Sequence, residues 1–325
     1  MLRFYMLLLL LGTFGPTLAQ STTRPVPIKL IFDTDIGPDY DDVGAMAVLH
    51  SLADSGRVDI LATVASNQSK YIAPVLDVLN TYFGRPNVPI GVVRGRAVNM
   101  TARQKWDSVL VARYPHDLRS NADAEDAVTL YRRLLARQPD RSVTLCTVGF
   151  LTNMADLLLS KPDRYSPLTG RDLVRKKVAR LVSMAGRFPS GKEFNVDRDP
   201  VSSKIVFDGW PTDIYLSGFE IGSAIHTGLP LTQHRALRKS PVKDVFAISI
   251  PLDKNDAQGR MSWDQTAVLA AILGYEPFFD LVPGRFVCAE DGSNTWNPSG
   301  RGHYYFTQKM PVADMEALLN RLMMR

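Results

Sequence analysis

The stretch Ile28-Lys29-Leu30-Ile31-Phe32 runs straight into Asp33-Thr34-Asp35-Ile36-Gly37-Pro38-Asp39-Tyr40-Asp41-Asp42, which holds five carboxylates within ten residues. The apolar run reads as a strand, and the apolar positions after Asp42 read as a helix. Carboxylates this close repel one another, and each tends to raise its neighbour's pKa. Something positive must sit among them, and a hard, oxygen-seeking cation such as Ca²⁺ or Mg²⁺ meets that need. The junction of strand end and helix start is also where open α/β sheets bind their ligands. The acidic segment thus predicts a metal-holding strand end.

Working outward, strand-like and helix-like segments alternate. Residues 28–32, 58–64, 88–93, 142–148, 178–184 and 213–216 read as strands, and 42–55 and 73–83 as helices. This alternation predicts an α/β fold, an open and mostly parallel sheet with helices on both faces. Polar loops follow several strands: Ser66-Asn67-Gln68, Gly149-Phe150-Leu151-Thr152-Asn153, and residues 186–195. In a parallel sheet these loops share one rim with the acidic segment. Residues 94–121 are polar and irregular and read as an inserted surface segment. Helices are expected at 231–239, 242–250 and 263–273, then a short β-rich tail over 278–305 and a final helix over 312–324. Thr152 and Asn153 are expected to cap a helix over 154–159. No linker stands out, so residues 20–325 are expected to form a single domain.

The chain has 325 residues, 45% hydrophobic and 22% charged, with a formal net charge of +5. The basic residues are scattered, with no block longer than Arg175-Lys176-Lys177, a pattern of solubility rather than nucleic-acid binding. Arg3, the apolar residues 4–11 with five consecutive leucines, and Thr17-Leu18-Ala19 have the order of a secretory signal peptide. Residues 1–19 are therefore expected to be removed, leaving an exported protein, periplasmic or secreted, that starts at Gln20 and has no membrane segment. Cys146 and Cys288 both lie in apolar runs and are expected as buried free thiols.

Taken alone, the acidic segment admits several readings. An EF-hand loop would close on a Glu where this chain has Gly44. A strand ending in Asp-x-Asp also suggests a phosphatase of the haloacid dehalogenase type, but Gly37 stands where that family has Thr or Val. The whole cluster more closely resembles the nucleoside hydrolase family, with its Asp-x-Asp-Pro-Gly-x-Asp-Asp run, although Ile36 replaces the Pro and two residues are inserted before Asp41-Asp42. Further segments resemble that family in the same order: Val64-Ala65-Ser66-Asn67-Gln68, Thr147-Val148-Gly149-Phe150-Leu151-Thr152-Asn153, Met184-Ala185-Gly186 with Glu193-Phe194-Asn195 and Asp199-Pro200, and Trp263-Asp264. The likeness is to an inosine-uridine preferring, exported bacterial type.

The resemblance implies calcium-dependent hydrolysis of the N-glycosidic bond of ribonucleosides, giving free base and ribose in nucleoside salvage. The transition state is oxocarbenium-like and the nucleophile is a metal-held water. It implies Asp35, Asp42 and Asp264 as carboxylate ligands of Ca²⁺, with the backbone carbonyl of Val148. Asp35 is the implied general base, Asp41 the acceptor for the 2′-hydroxyl, Asn67 and Asn195 the ribose contacts, Glu193 the 5′-hydroxyl contact and Asp33 a support behind the ligands. The implied partner is a small-molecule ribonucleoside, with a homo-oligomeric assembly. Asp39 has no implied role and reads as a surface acid at the helix start.

One departure concerns the leaving group. Trp263 stands where some members carry a His that protonates the base; its ring can stack on a base or line the pocket but cannot donate a proton to it. His226, His234 and His303 read as ordinary packing or surface residues. Two rival readings stay open: a metal-dependent phosphohydrolase, which needs a basic residue poised for phosphate, and a ribose- or nucleoside-binding protein with little turnover.

Overall fold

Alternation along the first strand, β1 (Ile28–Thr34), sorts its side chains between two cores: Leu30 and Phe32 enter one, Ile31 the other. The structure is a computed structural model that describes residues 26–324. The expected signal peptide, residues 1–19, lies outside the described residues. The remaining strands are β2 (Val58–Ala65), β3 (Ile90–Val92), β4 (Glu125–Asp126), β5 (Val143–Thr147), β6 (Val178–Met184), β7 (Ser190–Lys192), β8 (Asp213–Ser217), β9 (His226–Thr227), β10 (Arg260–Met261), β11 (Phe279–Cys288), β12 (Ser293–Asn297) and β13 (His303–Gln308).

Eleven of them form one sheet in the order β4-β3-β2-β1-β5-β6-β8-β13-β11-β12-β7. Every pairing from β4 through β13 is parallel, and β11, β12 and β7 add an antiparallel edge. The open, mostly parallel sheet read from the sequence is therefore present. Its direction of growth reverses at β1, which has β2 on one side and β5 on the other. Such a reversal opens a crevice at the carboxyl ends of the two central strands, the position where doubly wound sheets bind ligands. The N–H of Val148 donates to the carbonyl of Asp33 at 2.8 Å, so β1 and β5 stay joined up to the edge of that crevice.

Helices cover both faces. Asp41–Asp54, Ile72–Tyr82, Pro241–Ser249, Trp263–Leu273 and Val312–Met323 bury their apolar sides on the Leu30/Phe32 face. Ala127–Ala136, Thr152–Leu159, Gly170–Lys177 and Pro200–Gly209 do so on the Ile31 face. The helices Asp41–Asp54 and Trp263–Leu273 are almost wholly buried and lie against each other. Among the described residues no helix is long and apolar enough to cross a membrane. Cys146 and Cys288 are buried free thiols.

Three expectations change. Residues 94–121 are not an irregular surface insertion throughout: they contain the helix Trp106–Arg113, whose Trp106 and Leu110 are fully buried against Ile72–Tyr82 and Pro241–Ser249. The helix expected over 231–239 is only Leu229–Gln233. The β-rich tail is no appendage, because β13 adds to the main sheet in parallel with β8 and carries β11 and β12 with it.

Candidate active site

The acidic segment leaves β1 at the switch point and enters a helix, which places Asp35 and Asp41 on the wall of a cavity of about 420 Å³. Asp264 lines the same cavity from the first turn of Trp263–Leu273. Because that helix packs along Asp41–Asp54, the two N-terminal turns meet, and the N–H of Asp264 points at Asp41 Oδ2 at 3.4 Å. Helix N-termini favour nearby carboxylates. Val148 and Asn195 complete this side of the cavity, with Asn195 Nδ2 donating to the Val148 carbonyl at 3.1 Å and to the Met184 carbonyl at 3.2 Å. Gly149 makes the close approach possible: a Cβ there would fall 2.3 Å from the backbone nitrogen of Asp35.

Burial and mutual repulsion dominate the electrostatics. Loss of solvent pushes the carboxyls of Asp35, Asp42 and Asp264 well above the usual range, and neighbouring carboxylates push them further. Asp264 feels Asp41, Asp42, Asp39 and Asp35 in that order, so the acids distant in sequence share one field. Burial raises Asp41 to about 7 against the pull of Arg260.

The donor set fits a hard cation. Asp39, Asp41 and Asp42 each offer a carboxylate oxygen within 4.8 Å of the others. Asp42 accepts a hydrogen bond from Thr34 on Oδ1, while its Oδ2 is buried with no partner. A buried carboxylate oxygen without a donor is costly, and a ring of oxygens is what Ca²⁺ or Mg²⁺ binds. Thiolate and imidazole, which would favour softer metals, do not line this cavity among the described residues.

Several residues take places other than those expected. Asn67 does not line the cavity: Nδ2 donates to the carbonyls of Asp35 (2.9 Å) and Met100 (2.8 Å), and Oδ1 accepts from the N–H groups of Ser69 (3.2 Å) and Met100 (3.0 Å). An amide has two donors and two acceptor sites, so nothing remains for a ribose; Asn67 is a strut behind Asp35. Glu193 lines the cavity, but its carboxylate accepts from the N–H groups of Gly186, Asn195 and Val196, and burial raises it to about 7. Asp33 lies behind the wall, with Oδ2 accepting from Tyr131 (2.8 Å) and Asn153 (2.9 Å). Asn153 and Thr152 are therefore not caps: both sit inside Thr152–Leu159, with Thr152 bonded to Asp199. Asp39 is no free surface acid, since it pairs with Arg260 and joins the carboxylate triple.

Arg260 is the residue that sequence reasoning missed. It is 7% exposed, lines the cavity and donates to Asp39 and twice to Asp41. Its guanidinium carbon lies 5.1 Å from the ring centres of both Tyr40 and Trp263. The charge argument that called for a metal admits a side-chain cation equally, and that was the available signal. Trp263 and Phe219 form an aromatic wall, 5.4 Å between centroids, with Trp263 Nε1 donating to the Phe219 carbonyl at 2.9 Å.

A profile of the inosine-uridine preferring nucleoside hydrolases matches residues 30–298, most of the chain. The chain belongs to this family. Its enzyme class is therefore hydrolase of N-glycosyl bonds, and the family's substrates are nucleosides. Among curated relatives, the pyrimidine-specific ribonucleoside hydrolase RihA of Salmonella dublin is 28% identical over 245 residues, 69% of this chain and 68% of that protein. Among solved structures, the purine-preferring ribonucleoside hydrolase of Gardnerella vaginalis superposes with a TM-score of 0.72 at 15% identity, covering 91% of this chain and 98% of that one. The effector protein XOO4466 does so with 0.71 at 15% identity, covering 93% and 94%. Likenesses at this identity speak for the fold.

Proposed function

We propose that this chain is an exported, calcium-dependent ribonucleoside hydrolase that releases a free base and ribose. The observation that carries the reading is the partnerless Oδ2 of Asp42, buried in a field shared by Asp35, Asp41 and Asp264 at the β1/β5 crevice. Asp35, Asp42, Asp264 and the Val148 carbonyl would hold the ion, and Asp39 offers a further carboxylate oxygen within 4.8 Å of those of Asp41 and Asp42. A bound calcium ion would orient the ribose hydroxyls and make a nucleophilic water more acidic.

The chain's own groups supply the rest. Asp35 takes the proton of the attacking water. The surrounding carboxylates stabilise positive charge as it develops at the sugar carbon, a preorganised field that costs nothing to assemble during reaction. Asp41, held by Arg260, accepts from the 2′-hydroxyl, and Asn195 keeps its Oδ1 for the ribose. Trp263 and Phe219 give the base an apolar wall. With no His in the cavity lining among the described residues, departure of the base depends on the sugar-side charge and on hydrogen bonds to the leaving base.

Ribose release from inosine, uridine, adenosine and p-nitrophenyl riboside, with calcium and with chelator, tests the reading. Turnover that chelator abolishes and calcium restores is expected, and Asp42→Ala or Asp264→Ala should lose both turnover and calcium affinity. Full activity in either variant contradicts the ligand assignment. A binding protein without turnover is the second reading, favoured by that missing His; riboside binding without hydrolysis would establish it.

A further inference from the structure

We infer that Asp256 is a positioning residue for the acidic wall of the cavity: it holds the guanidinium of Arg260, and through it fixes where the Asp41 carboxylate points. The inference rests on the ribonucleoside reading above and deepens it by adding a residue outside the cavity. Arg260, Asp39 and Asp41 line the cavity, whereas Asp256 and Tyr40 lie behind it, both fully buried.

A continuous chain of contacts links these residues. Tyr40 donates its hydroxyl to Asp256 Oδ2 at 2.5 Å, and its ring packs edge-on against Phe246, 5.1 Å between centroids. Asp256 Oδ1 is buried with no hydrogen-bond partner among the described residues, and it faces Arg260 Nη1 at 3.7 Å. Nε and Nη2 of the same guanidinium carry the bonds to Asp41 and Asp39. The guanidinium is therefore suspended between two acidic groups, Asp39 and Asp41 at the cavity and Asp256 behind it.

The backbone fixes Asp256 without help from Arg260. Asp256 ends the 3-10 turn Lys254–Asp256; its N–H donates to the Asp253 carbonyl at 3.1 Å, and its carbonyl accepts from Gly259 at 2.8 Å. Gly259 has φ +106°, and a Cβ there would fall 2.8 Å from the Thr227 carbonyl oxygen, so glycine lets the chain turn into β10. An arginine side chain is long and flexible, and its fork gives direction only where its own place is fixed. Without the charge at Asp256, Asp39 and Asp41 compete for one fork with nothing opposing them at its far nitrogen.

The test uses the full mature chain with calcium and the variant Asp256→Asn, alone and combined with Arg260→Met. A carboxylate accepts on both oxygens, whereas an amide has one, so the variant can serve Tyr40 or Arg260 but not both. With inosine or uridine, kcat is expected to fall at least about tenfold while KM changes less than about threefold, since the wall is arranged for charge that develops in the transition state. In the Arg260→Met background the same change should lower kcat less than about twofold, because the residue through which it acts is gone. Unaltered kcat in Asp256→Asn, or a loss of the same size in both backgrounds, overturns the inference. If no riboside is hydrolysed, the parent reading fails separately, and crystal structures of the wild type and Asp256→Asn decide the positioning. An Arg260 fork displaced from Asp41 supports it, and one kept at 2.9 and 3.2 Å overturns it.

Discussion

Arg260 and Asp41 are joined by two hydrogen bonds, from Nη2 at 2.9 Å and from Nε at 3.2 Å, across 219 positions of sequence. The same guanidinium reaches Asp39 and approaches Asp256 at 3.7 Å, and Asp256 in turn accepts from the Tyr40 hydroxyl at 2.5 Å. A permanently charged group thus ties the acidic segment to β10, just before Asp264. One guanidinium compensates only part of the carboxylate charge, so it organises the ring without replacing a divalent ion.

Removing that tie should cost stability in a pH-dependent way. In Arg260→Met, Asp41 loses its partner inside the protein; it is nearly neutral at pH 5 and must be charged or protonated at a cost at pH 8, because burial already holds it at about 7. Breaking a buried pair by removing one partner costs about 3 kcal/mol. The melting temperature should drop more at pH 8 than at pH 5, and turnover should fall at least about tenfold as Asp41 loses its orientation. Arg260→Lys should lie between the two proteins, since it keeps the charge and loses the fork. Equal losses at both pH values would sink the ion-pair account.

Asn67→Ala separates a strut from a substrate contact. Its four hydrogen bonds serve backbone groups of Asp35, Ser69 and Met100. Each buried group left unsatisfied costs about 1–3 kcal/mol, so the variant should unfold at clearly lower denaturant, and its calcium affinity should weaken with the displacement of Asp35. A change confined to KM, with unaltered stability, would restore Asn67 to the ribose.

Local pattern made β1, the acidic run and the burial of the helix after it legible, because strand and helix periods show within a few residues. The link from Asp264 to Asp41 was legible only through the family's order of motifs. Arg260 had no local signature: a lone arginine between Gly259 and Met261 gives no sign of partners more than two hundred positions away. The same limit hid the place of β13, whose neighbour β8 is chosen by long-range pairing. Asn67 was readable as part of a polar loop after a strand, but the Met100 backbone it binds belongs to a segment that also buries Trp106.

The N-terminus gives a prediction independent of the site. The order of Arg3, residues 4–11 and Thr17-Leu18-Ala19 implies cleavage after Ala19. Protein recovered from outside the cytoplasm of an expressing bacterium should begin at Gln20 by N-terminal sequencing or intact mass. Material that keeps Met1, or stays wholly cytoplasmic, contradicts export.

The strongest pH signature belongs to the ring of acids itself. Burial raises Asp33 and Asp41 from 3.8 to about 7 and Glu193 from 4.5 to about 7, and it pushes Asp35, Asp42 and Asp264 up as well. Without a cation, the folded chain therefore keeps protons that the unfolded chain has released above its ordinary carboxyl pKa. Stability rises with pH only where the unfolded state binds more protons; here the native state binds more, so stability falls as pH climbs through the window from about 4 to 7. A calcium ion at the proposed site would need the ionised carboxylates and would bind the folded state, so its stabilising effect should grow over the same window. In melting curves with chelator the midpoint should decline from pH 5 to pH 8, and saturating calcium should flatten or reverse that decline, with the gap widest at pH 8. Parallel curves with and without calcium would mean that these acids do not hold the ion.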